Sequence, residues 1–174
     1  FVFYPGGMGI QFVKQFVQAG LRDKIPLYSV FTVDETSLPA LQDSAIGQYE
    51  ARFWNPDLKV PANQKFVADF RKKFGYTPSG YGAQSYDGIL LIDSALKATK
   101  GNTKDAKALV TAMRKADFES IRGKFTYNVN HHPIQNFYLQ DVVKNADGSH
   151  GLKTVATIVK DSQDRFHDKC PMKW

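Results

Sequence analysis

A chain of 174 residues, 43% hydrophobic and 23% charged, has the length and composition of one ordinary globular domain or two small lobes. That excludes low-complexity and collagen-like classes, and no apolar run approaches the ~20 residues that a membrane helix needs. The formal net charge of +6 admits an anionic partner. The lysines are scattered, however, as at Lys14, Lys59, Lys72, Lys97 and Lys115, with acids between them, so a concentrated nucleic-acid footprint is not expected.

In chain order, Phe1 to Tyr4 reads as a strand and Pro5-Gly6-Gly7 as the turn that ends it. A chain that opens inside a strand, on Phe rather than Met, is expected to be a piece of something longer. Ile10, Phe12, Val13, Phe16 and Val17 recur at helical spacing until Gly20. Pro26 to Val30 is a second strand, so the first unit is strand–helix–strand, the building block of a parallel sheet covered by helices. A short helix over Ser37 to Asp43 and a strand over Gln48 to Trp54 follow. The stretch NPDLKVPAN, with two prolines and two asparagines, breaks the pattern. Helices are then expected over Pro61 to Phe74, Ser85 to Ala98 and Thr103 to Ala116, the last capped by Asn102. Beyond them the period changes to strands over Gly123 to Val129, Asn136 to Val143 and Leu152 to Val159. Only the tail after Asp161 is a candidate for disorder.

Sequence motifs for chemistry are few. The run GGMG sits between a strand and a helix, but Phe12 stands where a dinucleotide fingerprint needs its third glycine, and no acid follows at the required strand end. No cofactor is therefore expected. His131 and His132 are adjacent and lack a second ligand pair, which favours a turn over a metal site. No Gly-x-Ser-x-Gly elbow is present, and the pair Asp34-Glu35 reads as loop acids capping the next helix, so the chain is not expected to be an enzyme. Cys170 is the single cysteine and has no partner in this sequence. Aromatics at strand-to-helix turns stand out: Tyr4, Tyr28, Phe31, Tyr76, Tyr81 and Tyr86. In open α/β sheets, ligands sit beyond the carboxyl ends of the strands.

The runs FVFYPGG, FVKQFVQAGL and IPLYS resemble the second lobe of periplasmic solute-binding proteins of the branched-chain amino acid class, which serve ABC importers. The segments NQKFVADFRKKFGYTPSGYGAQSYDGILLIDSALKATKG and GKFTYNVNHHPIQNFYLQDVV resemble that family's following runs, in the same order. The resemblance covers nearly the whole chain and implies an α/β fold, part of a two-lobe clamp with parallel sheets flanked by helices. It implies that residues 1–54 and 136–174 form the second, C-terminal lobe and 57–132 a portion of the first. Hinge crossings are expected near 53–57 and 133–136, with the N-terminal half missing from this piece.

The resemblance also implies a pocket. The loop after the first strand contributes Gly7 or Met8, with Tyr4 at its edge. The position that carries a glutamate for the ligand ammonium in amino-acid binders is Phe31, with Thr32 beside it. Tyr81 matches the aromatic that packs on the ligand from the other lobe. An ammonium closed into a cleft without its carboxylate loses several kcal/mol, most of the ~8 kcal/mol of micromolar binding. A small organic acid is the expected ligand, an aromatic one by preference, with Phe31 and Tyr81 sandwiching its ring. The alternatives are an amino acid or amide whose ammonium pairs with Asp34 or Glu35, or a ligand-sensing domain of a receptor or regulator. The implied partners are the membrane subunits of an ABC transporter. The implied location is the periplasm, or the outer face of a single membrane under a lipid anchor.

Overall fold

The computed structural model describes residues 1–170 and Met172. Gly6 adopts φ 73° and turns the chain into α1 (Gly7–Gln18). The helix ends where Gly20, at φ 67°, donates to the Val17 carbonyl while the Leu21 amide reaches Phe16. α1 lays Val13 against Leu27, Val33, Leu38, Leu41, Val142 and Leu152 in a first apolar core, with Ile10, Phe12 and Phe16 packed against it. Each fully buried aliphatic side chain of this kind is worth about 1.5–3 kcal/mol. Gly9 is where the turn and helix meet: a Cβ there would stand 2.0 Å from the Tyr4 carbonyl oxygen.

β1 (Tyr28–Ser29) runs parallel to β2 (Tyr49–Arg52), pairing Tyr28 with Tyr49 and Ser29 with Glu50. Between them lie α2 (Leu38–Leu41) and a 3-10 turn over Gln42–Ala45. The expected strand over Phe1 to Tyr4 shrinks to one bridging residue, Val2, which pairs parallel with Ser29. Val2 exchanges backbone hydrogen bonds with Tyr28 and Val30 at 2.9 and 3.1 Å, and among the described residues no other strand lies outside it to order its neighbours.

The second apolar core gathers Trp54, Leu58, Phe66, Val67, Ala83 and Ile121. α3 (Pro61–Phe74) opens on proline and closes on Gly75, whose φ of 77° and hydrogen bond to Arg71 at 2.8 Å end it cleanly. α4 (Gly80–Ala98) begins five residues before the expected Ser85, because the Ser79 hydroxyl accepts from the Gly82 amide and caps the helix there. α5 (Ala106–Lys115) is capped by Asp105, which accepts from the Ala108 amide at 3.0 Å, and not by Asn102. Asn102 instead accepts from the Lys104 amide in the preceding turn.

β3 (Thr126–Tyr127) is shorter than expected, since it meets only the first two residues of β4 (Pro133–Lys144). The turn between them holds both histidines, with His131 at φ 62° and its amide donating to Asn128. β5 (His150–Ser162) pairs with β4 as a long antiparallel hairpin, extending past Asp161. β4 also pairs antiparallel with β2, Arg52 opposite Tyr138 and Tyr49 opposite Asp141. The sheet is therefore parallel from Val2 through β1 to β2 and antiparallel from β2 onward. The ladder between β4 and β5 slips at Gln135/Phe137, Phe137/Tyr138 and Leu139/Gln140. Those slips lie where β4 passes between cores, for Val142 packs in the first and Tyr138 against the second.

Candidate functional site: aromatic lips between the two cores

After β1 the chain turns through Phe31 at φ 54°, a left-handed conformation that a bulky residue adopts only when its surroundings hold it there. What holds it is Glu50 on β2. The Glu50 carboxylate is fully buried, accepts from the Phe31 amide and lies 2.5 Å from the Ser29 hydroxyl. The Val33 amide adds a longer contact of 3.5 Å. The result is a side chain aimed from the first core toward the second. Its ring meets Tyr81, in the first turn of α4, at 6.1 Å between centroids with the planes 30° apart. Phe53 at 6.4 Å and Phe3 at 6.3 Å complete the group.

Phe31 and Tyr81 thus come together. They touch each other directly, so no ring is sandwiched between them in this arrangement: two stacked interfaces of aromatic thickness need about 7 Å between the outer rings. Thr32 lies beneath the pair, and its hydroxyl is already engaged, accepting from the Tyr4 amide at 2.9 Å and donating to Val30 at 3.3 Å. Tyr4 packs its ring on Phe12 at 5.4 Å. Gly7 and Met8 begin α1 on the exposed side, Met8 with 70% of its surface free.

Glu35, an acid already read from the sequence, joins a buried charged group with Arg52 and Glu50, which sequence reasoning missed. Arg52 donates both terminal nitrogens to Glu35 Oε2, at 3.1 and 3.0 Å, and its Nε stands 3.5 Å from Glu50. All three side chains are within 8% of complete burial. Burial pushes the Glu50 carboxyl up to about 7, against the pull of Ser29, Arg52 and the two amides. Glu35 is also raised by burial, opposed first by Arg52. One guanidinium cannot fully stabilise two carboxylates in a dry site. The signal in the sequence was the i, i+2 spacing of Glu50 and Arg52 in a strand, which puts both on one face.

The two acids considered for a ligand ammonium are both engaged. Asp34 Oδ1 accepts from the Thr36 and Ser37 amides at 2.9 Å and from the Thr36 hydroxyl at 2.6 Å. Glu35 holds Arg52. On the other side of Phe53, Arg122 stacks between the Phe53 and Phe125 rings at 5.5 and 4.2 Å while donating to Asp87 and Gln135, each at 2.9 Å. A separate groove of about 1460 Å³ is lined by Leu38, Tyr76, the 145–149 turn and Glu35, and by none of the other candidates. Among the described residues, no cluster of His, Cys, Asp and Glu could hold a metal ion, and no helix is long and apolar enough to cross a membrane.

A profile of the periplasmic binding protein family matches residues 1–148. The chain is 33% identical over 167 residues to a Leu/Ile/Val-binding protein homolog 6 of Brucella melitensis, covering 92% of this chain and 42% of that protein. Its structure is similar to an ABC transporter substrate-binding protein from Sphaerobacter thermophilus, with TM-score 0.84 and 27% identity over 91% of this chain and 44% of that one. It is also similar to a solute-binding protein of an ABC transporter from R. palustris in complex with 4-hydroxybenzoate. That likeness has TM-score 0.82 and 29% identity over 94% of this chain and 46% of the other. The chain therefore spans less than half the length of the relatives it matches.

Proposed function

The chain belongs to the periplasmic binding protein family, and from that premise we propose that it forms the C-terminal half of an extracytoplasmic solute-binding protein that delivers a small aromatic acid to an ABC importer. In this reading residues 1–54 and 136–174 are one lobe, 57–132 part of the other, and 53–57 with 133–136 the crossings. The division of apolar side chains into two cores supports it: the first lies within residues 1–54 and 136–174, and the second is built mainly from 57–132, with Phe53, Trp54 and Tyr138 joining it from beside the crossings. The ligand bridges the lobes and shifts the population toward the closed form, which the membrane subunits read. No bond is made or broken, so the protein is a carrier and not an enzyme.

The observation that carries the aromatic-acid reading is the group of Phe3, Phe31, Phe53 and Tyr81 where an amino-acid binder needs a carboxylate. A ring entering at these lips parts Phe31 from Tyr81 and gains roughly 0.5–1.5 kcal/mol per aromatic contact beyond area burial. The R. palustris complex with 4-hydroxybenzoate is in line with this. The name of the Brucella relative favours the second reading, a Leu/Ile/Val binder. Against it, Asp34 and Glu35 are both committed to partners inside the fold. Calorimetry of the full-length protein decides: 4-hydroxybenzoate is expected to bind with micromolar or better affinity and leucine without detectable heat. Tight leucine binding with no response to aromatic acids would refute the aromatic-acid assignment.

A further inference from the structure

The buried trio of Glu35, Arg52 and Glu50 does more than neutralise itself. Glu50 fixes the Phe31 amide, and so the lip on the first core. Arg52 ties Glu50 to Glu35. Its Nη1 then lies against the first residue of α4: a Cβ on Gly80 would stand 2.8 Å from that nitrogen. The Gly80 amide in turn favours the charged form of Glu35, although Glu35 Oε1 completes no hydrogen bond among the described residues. Gly80 is followed by Tyr81, the lip on the second core. One unbroken line of contacts therefore runs from the Phe31 loop through three charged side chains to the N-terminus of the helix that carries the opposing ring.

We propose that Glu35, Arg52 and Glu50 form a latch that sets the closed register of the two aromatic lips, with Gly80 as the seat for Arg52 on the opposite lobe. Arg52 is a positioning residue here, since it acts on the ligand only through the placement of Phe31 and Tyr81. The inference rests on the clamp described above and not on the identity of its ligand. Glycine is needed at position 80 because the guanidinium occupies the space of a side chain. Arg52 has little room to swing aside, for it is 3% exposed, hydrogen-bonded to Glu35 and 3.5 Å from Glu50. Any side chain at position 80 therefore moves the Tyr81 lip out of register with the Phe31 lip and lowers the fraction of the binding-competent arrangement, and apparent affinity falls by the same factor.

The test uses the full-length protein in a Cys170→Ser background, with spin labels at Gln18→Cys on α1 and Lys72→Cys on α3. Gly80→Ala is expected to lengthen the ligand-free distance distribution and to weaken 4-hydroxybenzoate about tenfold, with the unfolding midpoint little changed. A second variant, Arg52→Met with Glu35→Gln and Glu50→Gln, removes the latch without leaving a buried charge, and is expected to lengthen the same distance. If the second variant does not fold, Gly80→Ala alone decides. Folded variants whose distances coincide with the parent's overturn the latch. Longer distances in a protein whose parent ignores aromatic acids keep the latch and reject only the ligand.

Discussion

The carboxyl of Glu50 is fully buried beside a guanidinium that already serves Glu35, and its pKa is raised from 4.5 to about 7 by that burial. Between those values the folded chain holds a proton that the unfolded chain has released, so stability falls as pH rises through this window. The full difference is on the order of 3 kcal/mol. Urea midpoints at pH 5, 6 and 8 are expected to fall in that order, and Glu50→Gln is expected to flatten the series. An unchanged slope in the variant would assign the pH dependence to other groups. At this scale the family resemblance singled out Phe31 and Tyr81 as residues that sandwich a ligand ring, and in the structure the two rings lie against each other. Glu50 and Arg52 were not legible, because a charged pair in a strand is read as solvent-facing until its neighbours are known. Glu50 is enclosed by Ser29 and the Phe31 and Val33 amides, and Arg52 meets Gly80, 28 positions further along the chain.

Elements were read best where their ends carry their own signals. Pro61 and Gly75 bound α3 as expected, since a ring fixed near the helical φ and a left-handed glycine act locally. α4 was read five residues short, because GYTPSGYG looks like a loop until Ser79 is seen to cap it. The segment joining β2 to α3 depends on a tertiary device that no local pattern reveals. Asn63, fully buried in the first turn of α3, accepts from the Trp54 indole at 2.7 Å. Its amide nitrogen reaches the carbonyls of Asn55, Pro56 and Leu58 at 3.2–3.3 Å. Asn63→Ala leaves a buried donor and three carbonyls short of a partner and is expected to cost about 2–4 kcal/mol. Chemical denaturation measures it, with Gln64→Ala on the exposed face as the control. A loss below 1 kcal/mol would mean that water reaches this segment.

For the molecule as a whole, the break of pattern at NPDLKVPAN was legible and two lobes were implied by the family resemblance, whereas the mixed sheet was not legible, since β4 pairs with both β2 and β5 across long separations. Large apolar side chains remain on the outside, among them Ile89 at 65% exposure, Ile92 at 45% and Val155 and Ile158 at about half. Exposed apolar faces of this kind mark surfaces that other chain covers. The isolated 174-residue piece is accordingly expected to bind a hydrophobic dye and to self-associate with concentration in sedimentation, and the full-length protein to do neither. A monomeric piece with no dye response would mean that these side chains are too dispersed to act as a surface.

The slipped ladder of β4 has a mechanical consequence. Because that one strand packs Val142 in the first core and Tyr138 against the second, a change of angle between the cores would pass along it. A regular ladder resists bending along its whole length; three slips in close succession concentrate compliance at Gln135 to Gln140.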